Sequence, residues 1–405
     1  MVFTYFDKVR LYHTRYIMHT MKLQHRPFIA MKTGQKTIEL RLYDEKRSQI
    51  HSGQIIQFID VETNDILKAK VMDLHIFDSF QQLYENLDLT LCGYTNEQLS
   101  TASYQDMNAY YSLEQQENYQ VVGIEVEVLP ELNEASIRRM IQKGRVFMKH
   151  EDDDPYPEYY SDQELKKPQP PLYKAPMSDV IIPLPKNYRD LSLNNDILEV
   201  LYHRRSSRVY TQEVMSLLQL SYLLWATQGV KEIRGNNYAT LRTVACGGAR
   251  HEFECYMAIK NVEGLKVGYY HYMPDLHALA LLKECSEEEM NEMLHQSLCG
   301  QDWSFKANVT FFYSVLPYRA EWRYGIYSHR VQLMDVGHIT QNLYVAAESA
   351  NLGTCAIAAV DVNYTSQVFG LDGEEEFVIY AAPAGCVSKQ NKAAEDAFYA
   401  FLKEE

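Results

Sequence analysis

The chain has 405 residues, 46% of them hydrophobic, which suits two or three domains with full cores. Its net charge of -15 excludes a protein built throughout as a nucleic-acid binder, although residues 1–50 hold ten Lys or Arg against four Asp or Glu and keep a local basic face open. The seven cysteines (Cys92, Cys246, Cys255, Cys285, Cys299, Cys355, Cys386) are scattered and odd in number, which argues against a disulfide framework or zinc knuckle and for reduced thiols in a cytoplasm.

No run approaches the roughly 18 apolar residues of a membrane span. The first residues lack the apolar core of a signal peptide and read as an extension over residues 1–20, with Met18 or Met21 as an alternative start. Residues 29–34 read as a short helix closed by Gly34. Residues 35–42 then alternate, with Ile38, Leu40 and Leu42 on one face and Thr37, Glu39 and Arg41 on the other. Residues 54–60, 67–77 and 121–129 read as further strands, and Asp78 as the cap of a helix reaching residue 87. Short strands with helices between them predict a small, barrel-like α+β domain over residues 21–130.

Pro27 and Phe28, then Gly34, Lys36, Glu39 and Arg41, then Gly53, Gln54 and Phe58 resemble an ASCH domain, a PUA-like β-barrel family mostly associated with RNA. The resemblance implies a cleft lined by Lys36, Glu39 and Arg41, with RNA or a nucleotide as ligand. Some ASCH members are amidohydrolases acting on a modified cytidine through a Lys, a Thr and a later Glu. Lys36 matches the first of these; Glu39 stands where the Thr belongs, and Thr37 lies two residues early. Hydrolysis of an acylated cytidine is therefore an alternative activity, and a solvated strand face with weak ion pairs is the plainest alternative.

Residues 131–180 read as a polar helix ended by Glu151, Asp152, Asp153 and Asp154, followed by a proline-rich spacer or wrapping arm. Eight of the chain's 13 prolines fall between Pro155 and Pro185.

The remainder, residues 181–405, opens with an apolar helical pattern and a compact anion site: Arg204, Arg205, Ser206, Ser207 and Arg208. Guanidinium forks and hydroxyls give charge-assisted bonds to phosphate, although a basic helix end has the same composition. A helix over residues 214–228 stops at Gly229. Gly247 and Gly248 would let backbone approach a flat ligand. Strands are predicted at 253–259, 268–272, 308–315 and 377–383, and a central strand or its end at 355–360. A helix opened by the Ser286/Glu289 capping box, a long helix over 330–350 and a polar turn over 385–392 complete the pattern.

Six motifs in order resemble the nitroreductase superfamily, and most closely its SagB-type dehydrogenase branch. They are the Arg204 to Arg208 stretch; Leu223 to Gly229; Gly247, Gly248, Ala249, Arg250 and His251; Gly268 to Tyr272 with His277; Asp335, Gly337, His338, Gln341 and Asn342; and Leu352, Gly353 and Thr354. The resemblance implies an α+β sandwich, a mixed sheet flanked by helices, in a homodimer with FMN at the subunit interface. Arg204, Arg205, Ser206 and Arg208 would hold the FMN phosphate and ribityl chain, with Lys389 or Lys392 as a second phosphate cation. The backbone at Cys246, Gly247 and Gly248 would lie along the flavin ring, and the N–H of Ala358 or Ala359 would address N5.

Electrons would come from NADH, NADPH or a protein donor, and the substrate would be a small molecule or peptide. The family commonly has Pro-Ser where this chain has Ala245 and Cys246. Azoline-oxidising members carry a catalytic Lys-Tyr pair where this chain has Arg323 and Tyr324. Arginine keeps its proton and is a poor base, so azoline oxidation is in doubt, while Tyr324 remains a candidate acid. His251, His271, His277 and His338 lack a compact ligand spacing, and no metal is expected of them. A non-catalytic flavin- and RNA-binding regulator is the alternative from another class.

Overall fold

The computed structural model describes residues 19–131, 133–149, 158–388, 390 and 393. Most of the predicted extension, the acidic run from Glu151 to Asp154, Lys389 and Lys392 lie outside the described residues. The chain divides into two compact units, Met1–Val146 and Phe147–Glu405.

The first unit is built on β1 (His19–Leu23), β2 (Ile38–Leu42), β3 (Ile55–Asp60), β4 (Ile66–Phe77) and β5 (Val121–Val128), in the order β1-β3-β4-β5-β2. β1 runs parallel to β3 and the other neighbours are antiparallel. β4 alternates exposed and buried through its first half, then shifts register against β5 between Val71 and Asp73. Such a bulge bends the long strand. The result is a curled sheet, as the alternating strands predict, consistent with the PUA-like barrel that the ASCH resemblance implies. Ile38, Leu40 and Leu42 share one core with Phe80 and Leu83, as their spacing requires. Ile56, Phe58, Val122 and Ile124 fill the other. The helix Phe80–Asn86 is capped by Ser79, which accepts the Gln82 N–H, and not by Asp78. Asp78 instead donates its own N–H to Gln82 Oε1.

The second unit holds β6 (Ile181–Pro183), the hairpin β7 (Val230–Arg234) and β8 (Ala239–Arg242), then β9 (Phe253–Ile259), β10 (Gly268–Met273), β11 (Ala278–Glu284), β12 (Val309–Val315), β13 (Leu352–Thr354) and β14 (Phe377–Cys386). The order is β13-β14-β12-β9-β10-β11-β6. All neighbours in this sheet are antiparallel. Among the described residues, parallel pairing in this unit enters through the isolated bridges Ser206 to Thr354 and Met215 to Val262.

β9 and β12 are buried along their whole length. One face of the sheet packs under Leu220, Leu223 and Leu224 of the helix Leu217–Gln228 and under Ile339 and Leu343 of the helix Ser328–Ser349. The other face packs under Met290, Met293 and Leu294 of the helix Glu287–Ser297. This is the expected sandwich. Its filling is unusually phenolic: Tyr256, Tyr270, Tyr272 and Tyr313 are among the largest fully buried side chains.

Residues 355–360 form no strand. β13 ends at Thr354, and only Ile357 bridges on to Ala381. β14 runs to Cys386, through the start of the turn expected from residue 385.

The proline-rich stretch is an arm laid on this unit. Gln163 N–H donates to Trp322 O at 2.7 Å, and Trp322 Nε1 donates to Lys167 O at 3.1 Å. Gln169 Nε2 reaches Asn237 O at 3.3 Å, and Lys174 Nζ reaches the Tyr256 hydroxyl at 2.7 Å and the Glu376 carboxylate.

Candidate functional site

The anion stretch leaves the helix Ile197–His203 at its C-cap, Arg204, and runs straight into the sheet margin. Ser206 bridges to Thr354, and Ser207 N–H donates to Thr354 O at 2.9 Å. Gly353 makes this approach possible, since a Cβ there would lie 2.6 Å from that of Ser207. Tyr344, from the helix Ser328–Ser349, ties the parts together. Its hydroxyl lies 2.9 Å from Ser206 Oγ and accepts the Ala356 N–H at 2.8 Å. Its ring lies 5.3 Å from the Arg204 guanidinium. The stretch is thus tied into the sheet margin rather than left as a solvated helix end. Arg205 is half-buried, and the Arg208 guanidinium lies 5.9 Å from the Trp303 ring. Two residues beyond Ala356, Ala358 and Ala359 are exposed, and among the described residues their N–H groups have no partner.

Cys246, Gly247 and Gly248 form a second cluster. Gly247 N–H donates to Asp335 Oδ2 at 2.8 Å. A Cβ on Gly247 would lie 2.5 Å from Val331 Cγ1, and one on Gly248 would lie 2.7 Å from both the Arg323 side chain and the Tyr324 hydroxyl. Arg323 and Tyr324 therefore sit directly over the glycine pair, and these side chains already fill the space that a Cβ would take. Arg323 Nη1 donates to the Tyr238 hydroxyl at 2.7 Å and to Gln163 Oε1, on the arm, at 3.3 Å. Arg250, stacked 4.8 Å from the Tyr238 ring, holds Gly248 O at 3.0 Å.

Beneath the glycines, the Cys246 thiol donates to Glu252 Oε2 at 3.3 Å. Burial, with Glu252 and Asp335 beside it, pushes this thiol far above its ordinary value. Burial and the Asp335 charge raise the Glu252 carboxyl to about 7. Asp335 and Tyr344 anchor the two clusters to one helix, nine residues apart, about 13 Å of helical rise.

The histidines are engaged separately. His271 bonds Glu254 at 2.9 Å, His251 Nε2 meets Thr240 O at 3.0 Å, and His338 lies 3.3 Å from Asp335. His277 is shared by Ser221, Tyr188 and Tyr272, each at 2.8 Å. Burial lowers His251 to about 3 and His277 to about 4.

In the first unit, Lys36, Glu39 and Arg41 do come together, but inside. Lys36 is 6% exposed, and its Nζ reaches Cys92 O at 2.6 Å, Ile38 O at 2.8 Å and Glu39 Oε2 at 3.4 Å. Glu39 also pairs with Arg41 Nε at 2.9 Å, and Arg41 Nη2 crosses to Lys22 O of β1 at 2.8 Å. The solvated strand face is thus replaced by a buried network that links the sheet's two edge strands. Tyr344, Glu252 and Tyr238 were not singled out from the sequence. Tyr344 lies two residues past Asn342, and Glu252 follows His251 directly, so proximity to motif residues was the available signal.

Comparison with known proteins bears on both units. Residues 201–386 match the nitroreductase family, and residues 21–130 match the ASCH domain. Over 187 residues the chain is 29% identical to MJ1384 of Methanocaldococcus jannaschii, which carries a nitroreductase name; the match covers 46% of this chain and 89% of that protein. It is 26% identical over 137 residues to the microcin B17-processing protein McbC of Escherichia coli, covering 32% of this chain and about half (49%) of that protein. A solved nitroreductase-type structure from Ralstonia eutropha JMP134 aligns at a TM-score of 0.43 and 23% identity, over 55% of this chain and 97% of that one. The second unit is an oxidoreductase domain. It carries a nitroreductase domain, matched over residues 201–386, and follows an ASCH domain in the same chain.

Proposed function

We propose that the second unit is an FMN-dependent oxidoreductase of SagB type, working as a homodimer, with NADH, NADPH or a protein as electron donor. The observation that carries this is the Tyr344 cluster. One hydroxyl orients Ser206 of the cationic stretch and the Ala356 peptide that leads to the unpartnered N–H groups of Ala358 and Ala359. Forked cations beside paired-off backbone suit a phosphate, and outward N–H groups suit a ring nitrogen acceptor. The donor set therefore fits FMN, which when bound supplies hydride transfer at N5.

In this reading Arg204, Arg205, Arg208 and Ser206 hold the phosphate and ribityl chain, with Lys389 as a further cation. Tyr344 keeps the phosphate arm and the Ala358 and Ala359 arm in register. The backbone of Cys246, Gly247 and Gly248 lies along the ring. Arg323 stays protonated, so it orients a substrate and stabilises charge, while Tyr324 beside it is the candidate proton donor. McbC, named for processing microcin B17, makes a peptide one substrate class to screen beside small molecules. For the ASCH domain we favour RNA or nucleotide binding over hydrolysis, because the Lys36 amine already spends its hydrogen bonds on two carbonyls and Glu39.

The test is the visible spectrum of purified protein, then anaerobic NADH or NADPH addition. Flavin bands that bleach are expected. In Arg204→Ala/Arg208→Ala, the loss of two charge-assisted phosphate bonds should weaken FMN binding about a hundredfold. Unchanged FMN affinity in that double variant, or a colourless protein that FMN cannot reconstitute, would defeat the reading.

A further inference from the structure

Below Gly247, side chains from three elements converge on a small space. The potential ligand atoms of Cys246, Glu252 and Asp335 all lie within 4.8 Å of one another. Glu252 is 0% exposed, Gln228 1% and Asp335 3%. A void of about 10 Å³ is lined by Gln228, Arg242, Cys246 and Asp335 among others. That is room for one small particle. Two deeply buried oxygens here, Glu252 Oε1 and Gln228 Oε1, have no hydrogen-bond partner. Gln228 has already committed its amide nitrogen to Phe253 O at 3.3 Å, which leaves its oxygen as a pure acceptor. The void therefore offers the Cys246 sulfur, the Asp335 carboxylate and the Gln228 carbonyl, with the Arg242 guanidinium on the same wall, and the Glu252 carboxylate comes within 4.8 Å of the first two; these anionic donors suit a cation.

We propose that Cys246, Glu252, Asp335 and the Gln228 carbonyl hold one divalent transition-metal ion. A sulfur with three oxygens is a four-donor set for zinc, iron(II) or cobalt, and the sulfur selects against magnesium and calcium. The charge arithmetic permits it. With Cys246 as thiolate and Glu252 and Asp335 as carboxylates, three negative charges meet the two of the ion and the one of Arg242, which lines the same void. The neighbouring Glu254 stands outside this balance, held by Arg319 at 2.7 Å. The ion would brace the Gly247 peptide through Asp335 and does not depend on the flavin reading.

The experiment is metal analysis of the full-length protein purified without chelator, with flavin content read from the same sample. About one equivalent of metal per chain is expected. After chelation, cobalt(II) titration should restore about one equivalent and give a near-ultraviolet thiolate-to-cobalt band. Cys246→Ser should abolish that band, and in the wild type chelation should lower the melting temperature and cobalt restore it. Below about a tenth of an equivalent, with no cobalt band and no thermal shift, the void holds water and the proposal fails. A cobalt band that survives Cys246→Ser would also overturn it. Flavin loss without metal loss would count against the flavin reading alone.

Discussion

Glu252 and Glu254 stand two residues apart, both buried, and the chain treats them oppositely. Arg319 Nη1 lies 2.7 Å from Glu254 Oε1 and His271 Nε2 lies 2.9 Å from its Oε2. Although burial opposes ionisation, Arg319 followed by His271 brings Glu254 down to about 2. Glu252 has Asp335 for a neighbour and rises to about 7. The signs follow. The stabilisation from Glu254 is present above the ordinary carboxylate value and lost as pH falls towards 2. That from Glu252 is present below the ordinary value, 4.5, and lost as pH rises towards 7, because the unfolded chain ionises first. Glu252→Gln, with chelator present, should therefore remove a decline of roughly 3 kcal/mol between those limits in denaturant titrations run across pH. Arg319→Ala strands the Glu254 carboxylate in the core and should cost about 3–5 kcal/mol by the same measurement.

At the scale of elements, the arm is held at several separate points. Gly325 is the tightest: its φ is +51°, and a Cβ would lie 1.8 Å from the Tyr159 hydroxyl. Gly325→Ala should lift the start of the arm, detected as faster proteolytic cleavage between residues 158 and 170, with the sheet still folded by circular dichroism. The proline content announced an extended segment but could not say where it lies. Its anchors, such as Trp322 to Lys167 O and Lys174 to Glu376, join residues more than a hundred positions apart.

Elements whose own pattern is strong were legible. β9 falls at residues 253–259 as read, and the helix Glu287–Ser297 begins at the Ser286/Glu289 capping box. Elements whose reason is tertiary were not. β6 is three residues on the edge of β11, the hairpin of β7 and β8 carries mostly polar residues on its first strand, and β1 is specified by its pairing with β3.

In the candidate site the cationic stretch and the glycine pair were legible as motifs. Of what organises them, Tyr344 was not, because a single hydroxyl on a long helix has no signature of its own; Asp335 was read within a motif, but not as the acceptor of the Gly247 N–H. Lys36, Glu39 and Arg41 show the converse: their spacing was read correctly and their burial was not, since β2 is covered on both faces.

Taken whole, the molecule has two sets of cores that share no residue, Phe58 and Leu83 belonging to the first unit and Leu224 and Phe312 to the second. Cores that share no residue are expected to be lost separately: guanidinium unfolding should show two transitions, and Arg319→Ala should move only that of the second unit. A single transition, shifted as one by that substitution, would contradict this independence. Among the described residues no helix is long and apolar enough to cross a membrane.

The phenolic filling of the second sheet has an optical corollary. Burial above all keeps the hydroxyls of Tyr256, Tyr272 and Tyr313 protonated well past the ordinary tyrosine range. In strong base these rings stay spectroscopically silent while surface phenols turn to phenolate, and they ionise together only when the sheet opens. The alkaline ultraviolet trace of this protein should therefore contain a delayed step, to which the second sheet contributes Tyr256, Tyr272 and Tyr313 and the first unit contributes Tyr94.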